Sequence, residues 1–258
     1  MAFTKALAQF LQNELSLPVQ WIGDEHMGWS ARLDQVTQGQ IHVGWICGLH
    51  YVRLIDGQLS DLELLAAPVQ AAPRYAAQPV YFSDLVVRAD AGYTTTEALR
   101  ASTWAYNEPG SLSGRLSMLH FLATAIGVEG GDAARFFGRV VESGGHAHSL
   151  KLLLDGQIDC AAIDSTLLDY LLRTDPTLAD QIRVLHTLGP FPMPPLVMHR
   201  RVPGAVRRRI RNLLLEMHHS PAGRRLLALA DLSHFVARAD ADYDPVRRMS
   251  KDVLSIEC

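Results

Sequence analysis

Two short runs hold the residues whose types and spacing can do chemistry. Ser143-Gly144-Gly145-His146-Ala147-His148-Ser149 reads as a glycine-rich turn opening a helix, with His146 and Ser149 in its first turn. Backbone N–H groups there have no carbonyl above them, and the positive end of the helix dipole points the same way. Upstream, Glu108-Pro109-Gly110-Ser111-Leu112-Ser113-Gly114 has the same character. Its serines supply an N-cap or a hydroxyl donor, and Gly114 lets a ligand come close to the backbone. Two such helix starts in one stretch point to the binding of an oxyanion, with His146 donating to an anionic oxygen.

Other chemistries fit less well. Ser111 or Ser113 with His146 and Asp164 would make a hydrolase set. A nucleophile elbow, however, needs Gly-x-Ser-x-Gly, and residues 110–114 place Leu112 where the nucleophile belongs. No catalytic residue is assigned. His146-x-His148 offers two metal ligands without a third at a helpful spacing. Cys47, Cys160 and Cys258 have no metal spacing, and an odd count argues against a disulfide framework. No metal and no cofactor is expected, and Cys47 and Cys160 read as small buried apolar residues. The basic run from His199 to Arg211 carries an apolar stripe, Val206, Ile210, Leu213, Leu214 and Met217, which leaves its arginines on a solvated face. Without interleaved aromatic residues it offers no stacking surface for nucleic acid.

The elements that position these runs follow from periodicity. Residues 3–15 form an amphipathic helix. Strands are expected at 19–23, 41–46, 62–67, 80–88, 103–106, 140–141, 160–163, 182–185 and 196–199. Helices lie near 30–38, 95–100, 111–126, 146–154, 167–173 and 204–218, and the last sixty residues read as mainly helical. The four prolines between Pro190 and Pro195 exclude a helix or a central strand. Strands alternating with helices imply an α/β chain with largely parallel sheets. The extended runs 80–88 and 196–200 flank a self-contained block, so the chain divides into two lobes with a ligand cleft between them. Lobe 1 takes 1–82 and 195–258, and lobe 2 takes 83–194 with the anion-binding helix starts. With 258 residues, 48% of them hydrophobic, the chain can bury one large or two modest cores. A net charge of −3 gives no general case for nucleic acid. No apolar run is long enough for a transmembrane segment.

The pattern resembles the phosphate- and phosphonate-binding family of ABC-transporter substrate-binding proteins. The similar stretches are Gln38–Val52, Glu108–Gly114, Ser143–Ser149, Gly156–Asp164 and Asp242–Arg247, in the right order through nearly the whole chain. The resemblance implies a type 2 periplasmic-binding fold: two mixed sheets flanked by helices, with the ligand in the inter-lobe cleft. It also implies that Ser111, Leu112 (through its backbone), Ser113, Gly114, His146 and Ser149 clamp a phosphate, a phosphonate or a related organic anion. Gly48–Tyr51 would form the other lobe's wall with Tyr51 as an aromatic contact, and Tyr81 would stand on the first crossing strand. A transporter permease is the implied protein partner, and the periplasm the implied compartment.

Two departures qualify the resemblance. Members begin with a strand, preceded by a signal peptide or lipoprotein cysteine, whereas this chain enters its first helix at Met1. Either the true start lies upstream or the chain is a cytosolic relative. The acids that hold the amine of aminoalkylphosphonates are not matched either, since Ser165-Thr166 follows Asp164 and the 189–195 loop carries no acid. Asp164 either faces the pocket or caps the next helix. The alternative reading is a small-molecule biosynthetic enzyme or a sensor on the same fold, with His146 and Asp164 as the acid/base pair of the enzyme.

Overall fold

A computed structural model of the chain describes residues 2–23, 28–58 and 61–254. Among them are nine strands: β1 (Val43–Trp45), β2 (Leu62–Gln70), β3 (Val80–Arg88), β4 (Thr103–Tyr106), β5 (Arg139–Glu142), β6 (Cys160–Asp164), β7 (Ile182–Pro192), β8 (Leu196–His199) and β9 (Leu232–Val236). Two compact units result, one from residues 1–80 and 192–243, the other from 81–191 and 244–258.

The first unit is built on a four-stranded sheet of order β1-β8-β2-β9. Phe3, Leu7, Leu11 and Leu15 recur at helical spacing along the helix Ala2–Leu15 and are all buried. They meet Leu65, Met198, Leu214 and Phe235 in one core, and each fully buried side chain of this kind contributes about 1.5–3 kcal/mol. Every pairing given for this sheet is antiparallel. That overturns the expectation of largely parallel sheets. β1 and β2 do run the same way across the helix Gly48–Asp56, but β8 returns from far along the chain and lies between them. β9, in the region expected to be mainly helical, closes the other side.

Local expectations also shift in this unit. Residues 19–23 are not a strand; the Trp21 indole donates to Thr4 Oγ1 at 3.2 Å and Val19 N to Gln12 Oε1 at 3.3 Å, which tie the segment to the first helix. The arginines of the basic run are solvated in part, Arg200, Arg201, Arg208 and Arg209 being exposed, but four of them are also bonded. Arg207 pairs with Glu63 at 2.7 Å, Arg209 donates to the Leu15 carbonyl at 3.2 Å, Arg201 to the Gly39 carbonyl at 3.0 Å, and Arg211 to the Leu64 carbonyl. Arg207, Arg209 and Arg211 fasten the helix Gly204–Glu216 to its neighbours. Cys47 is half-buried and only Cys160 is fully buried; Cys258 lies outside the described residues.

The second unit carries the mixed five-stranded sheet β5-β4-β6-β3-β7. β4 is parallel to both β5 and β6, and β3 is antiparallel to β6. β7 continues past residue 185 through Pro190 because it is an edge strand, where a missing N–H costs no ladder bond. Ala105, Ala161 and Ile163 from the sheet pack with Leu150, Leu153 and Leu168 from the helices His146–Leu154 and Ser165–Thr174. The last helix, Asp244–Leu254, groups with this unit, whereas the expected boundaries left it in lobe 1. It packs on the helical stretch 112–126, buries Val246 and Val253, and brings Asp252 within 3.4 Å of His120 Nε2.

Candidate functional site

Three parallel strands of the second unit point their carboxyl ends the same way: β4 ends at Tyr106, its parallel neighbour β5 at Glu142, and β6 at Asp164. Ligands of open α/β sheets gather outside such ends. Ser83 of the antiparallel β3 is paired with Asp164 and so reaches the same edge.

The loop after β4 enters a helix at Leu112 that runs without a break to Ile126, with wide turns at both ends. Ser111 is the N-cap: its backbone is extended (φ −74°, ψ 130°) and its Oγ accepts from Gly114 N at 2.9 Å. Leu116 N reaches back five residues to the Ser111 carbonyl at 3.0 Å, a widened turn of the kind that recurs at functional sites. Below it the Ser113 carbonyl accepts from Ser83 Oγ at 2.6 Å and from Ser117 Oγ at 2.8 Å. Those two buried hydroxyls hold the first turn against the sheet.

The loop after β5 enters the second helix at His146. Ser149 Oγ lies 2.6 Å from Ser143 Oγ, and Ser143 also donates to the Tyr106 carbonyl at 3.1 Å. Ser149 is fully buried, and this hydroxyl pair ties the turn to the end of β4. His148 Nδ1 donates to the Ser143 carbonyl at 2.5 Å.

The two helix starts meet where Ser113 Oγ stands 3.2 Å from His146 Nε2. Burial holds the His146 imidazole below the ordinary histidine range, against the opposing pull of the Asp164 and Glu108 carboxylates. The ring is therefore neutral at neutral pH, a hydrogen-bonding group rather than a cation. Asn107, the first residue past β4, has a buried Oδ1 with no hydrogen-bond partner among the described residues and is 3% exposed. It is the site residue that reading the sequence misses; its place at the end of a strand leading into the Gly-Ser turn is the signal that could have found it.

Of the expected site residues, the structure brings Ser111, Leu112, Ser113, Gly114 and His146 together. Asp164 belongs to the same surroundings, but its Oδ1 accepts from Thr166 N at 2.8 Å and Thr166 Oγ1 at 2.7 Å, so it caps the next helix. Tyr81 is buried edge-on to Phe191, with ring centroids 6.1 Å apart. Tyr51 belongs to the first unit: it is 3% exposed, donates to Asp240 Oδ1 at 2.7 Å, and lies against the Tyr243 ring at 4.9 Å.

This arrangement does not make a catalytic triad. A serine facing a histidine is present, but the imidazole's other nitrogen lacks the acid that would orient it, because Asp164 faces its own helix. Among the described residues no group of three His, Cys, Asp or Glu side chains could hold a metal ion, and no helix is long and apolar enough to cross a membrane.

Comparison with known proteins bears on the same question. The profile of a family described as ABC transporter, phosphonate, periplasmic substrate-binding protein matches residues 2–243. No curated protein matches the chain. Among solved structures, a binding protein component of an ABC phosphonate transporter from Pseudomonas aeruginosa superposes with a TM-score of 0.86 at 18% identity, covering 99% of this chain and 82% of its own. PhnD1 from Prochlorococcus marinus, solved in complex with methylphosphonate, gives a TM-score of 0.81 at 16% identity, with 98% and 92% covered. A Xanthomonas citri protein solved bound to ATP gives 0.71 at 17% identity, with 99% and 94% covered. At these identities the likeness speaks for the fold, that of two-lobed periplasmic binding proteins.

Proposed function

Because the chain belongs to the periplasmic substrate-binding family of phosphonate ABC transporters, a family of carriers rather than enzymes, we propose that its own ligand is a small phosphonate-type oxyanion held where Ser113 and His146 meet. The meeting of the two helix starts through Ser113 Oγ and His146 Nε2 carries this reading. The hydroxyl and the neutral imidazole share one hydrogen bond and keep one hydrogen between them for a ligand, and a neutral donor at a helix start suits a tetrahedral anion. The binding of methylphosphonate by PhnD1 supports the ligand class. Release of the bound anion to a transporter permease completes the role. Ser111 caps and Ser149 braces, so both position the clamp rather than touch the ligand.

A melting-temperature series with methylphosphonate tests the proposal on wild type and on a Ser113→Ala/His146→Ala double variant. Wild type is expected to gain stability with ligand and the folded double variant to gain none. No gain in wild type with any phosphonate or phosphate would remove the reading.

A further inference from the structure

The clamp holds a buried acceptor, Asn107 Oδ1, with no hydrogen-bond partner among the described residues. A Cβ on Gly114 would fall 1.7 Å from Asn107 Oδ1 and 3.0 Å from His146 Cε1, so the carboxamide and the imidazole flank the same Cα. A buried unsatisfied group of this kind costs roughly 1–3 kcal/mol, so its persistence at a binding site points to a partner that arrives with the ligand. Oδ1 can only accept. What it lacks is a hydrogen, and an oxyanion without a proton cannot supply one.

The electrostatics agree. The charged groups felt by His146 are the carboxylates of Asp164 and Glu108, which disfavour a second negative charge on a nearby ligand. We propose that the Asn107 carboxamide oxygen selects oxyanions that still carry a proton, the monoanions of phosphonates and phosphate, over anions of the same shape that carry none, such as sulfonates. The ligand's P–OH donates to Asn107 Oδ1 while its remaining oxygens accept the hydrogen that the Ser113–His146 pair turns outward. The inference rests on the oxyanion reading above and goes further, giving the site a protonation filter and naming its residue.

Methylphosphonate and methanesulfonate are nearly isosteric, and only the first offers a hydrogen as its monoanion. Calorimetric titration of both into wild type, Asn107→Ala and Asn107→Asp tests the filter, with unliganded melting temperatures checking that each variant is folded. Wild type is expected to prefer methylphosphonate. Asn107→Ala should weaken methylphosphonate roughly tenfold, the worth of one hydrogen bond to a charged ligand, and leave methanesulfonate nearly unchanged. Asn107→Asp keeps an acceptor, so it should bind both anions more weakly and retain the preference. Equal weakening of both anions by Asn107→Ala, or loss of the preference in Asn107→Asp, overturns the filter. Equal affinity of wild type for the two anions overturns it while leaving the oxyanion clamp intact. Failure of wild type to bind either anion removes the clamp reading and this inference together.

Discussion

Gly114 shows how tightly the residues of the clamp constrain one another. Its helical position would ordinarily gain about 1 kcal/mol from Ala. The added methyl would instead overlap Asn107 Oδ1 at 1.7 Å and press on the His146 ring; overpacking of this kind costs about 1–3 kcal/mol. Gly114→Ala is therefore expected to lower the urea midpoint and to abolish a methylphosphonate-induced rise in melting temperature. His146 makes a separate prediction through pH. An unfolded histidine takes its proton near the ordinary value of 6.5, while the folded ring holds out to lower pH. Between those two values the unfolded chain binds more protons, so stability rises with pH there. The contribution is whole above 6.5 and is lost as pH falls toward the depressed value. His146→Gln should flatten that part of the acid limb, and a wild-type denaturation midpoint that stays level across it would contradict the buried neutral ring.

Elements place these residues with little freedom. Ser83 and Ser117 grip the Ser113 carbonyl from the sheet and from the helix, and Ser143 ties the second turn to the end of β4. Asp164 is the clearest case of an element-level role for a residue with functional chemistry. Because it accepts from Thr166 N and Leu167 N at the start of its helix, Asp164→Ala is expected to cost about 1 kcal/mol. Asn caps as well as Asp, so Asp164→Asn should be nearly neutral in stability. Its methylphosphonate affinity should rise modestly, since a negative charge near the anion has gone. Urea denaturation and calorimetry on the two variants separate cap from ligand contact; a large loss of binding in Asp164→Asn would make Asp164 a ligand group after all.

At the scale of the molecule, each unit has its own sheet and its own buried cluster, and the clamp is made from second-unit residues. Binding to the native state alone stabilises by mass action, about 2.7 kcal/mol at a ligand concentration 100 times the dissociation constant. Hydrogen exchange with saturating methylphosphonate is expected to slow most in the first turns of the helices starting at Leu112 and His146. Slowing confined to other regions, with those turns unchanged, would place the ligand elsewhere.

The two helix starts and most strand positions were legible in the sequence, because a Ser cap, a Gly turn and apolar periodicity are local signals that act over a few residues. So was the family, which these short motifs carry in order. Strand pairing was not: β8 and β9 enter the first sheet from far along the chain, and nothing in their own residues says which neighbour they take or in which direction. The same holds for Arg209 and Arg211 of the helix Gly204–Glu216, whose composition reads as a solvated face until the carbonyls of Leu15 and Leu64 are brought to them. At the proposed site, residue types and local spacing already mark which groups can donate to an anion. Only the tertiary structure decided that Ser113 meets His146, that Asp164 turns to its own helix, and that Asn107 is left with an empty acceptor. Those outcomes depend on contacts between segments tens of residues apart, and burial is what gives each of them its energetic weight.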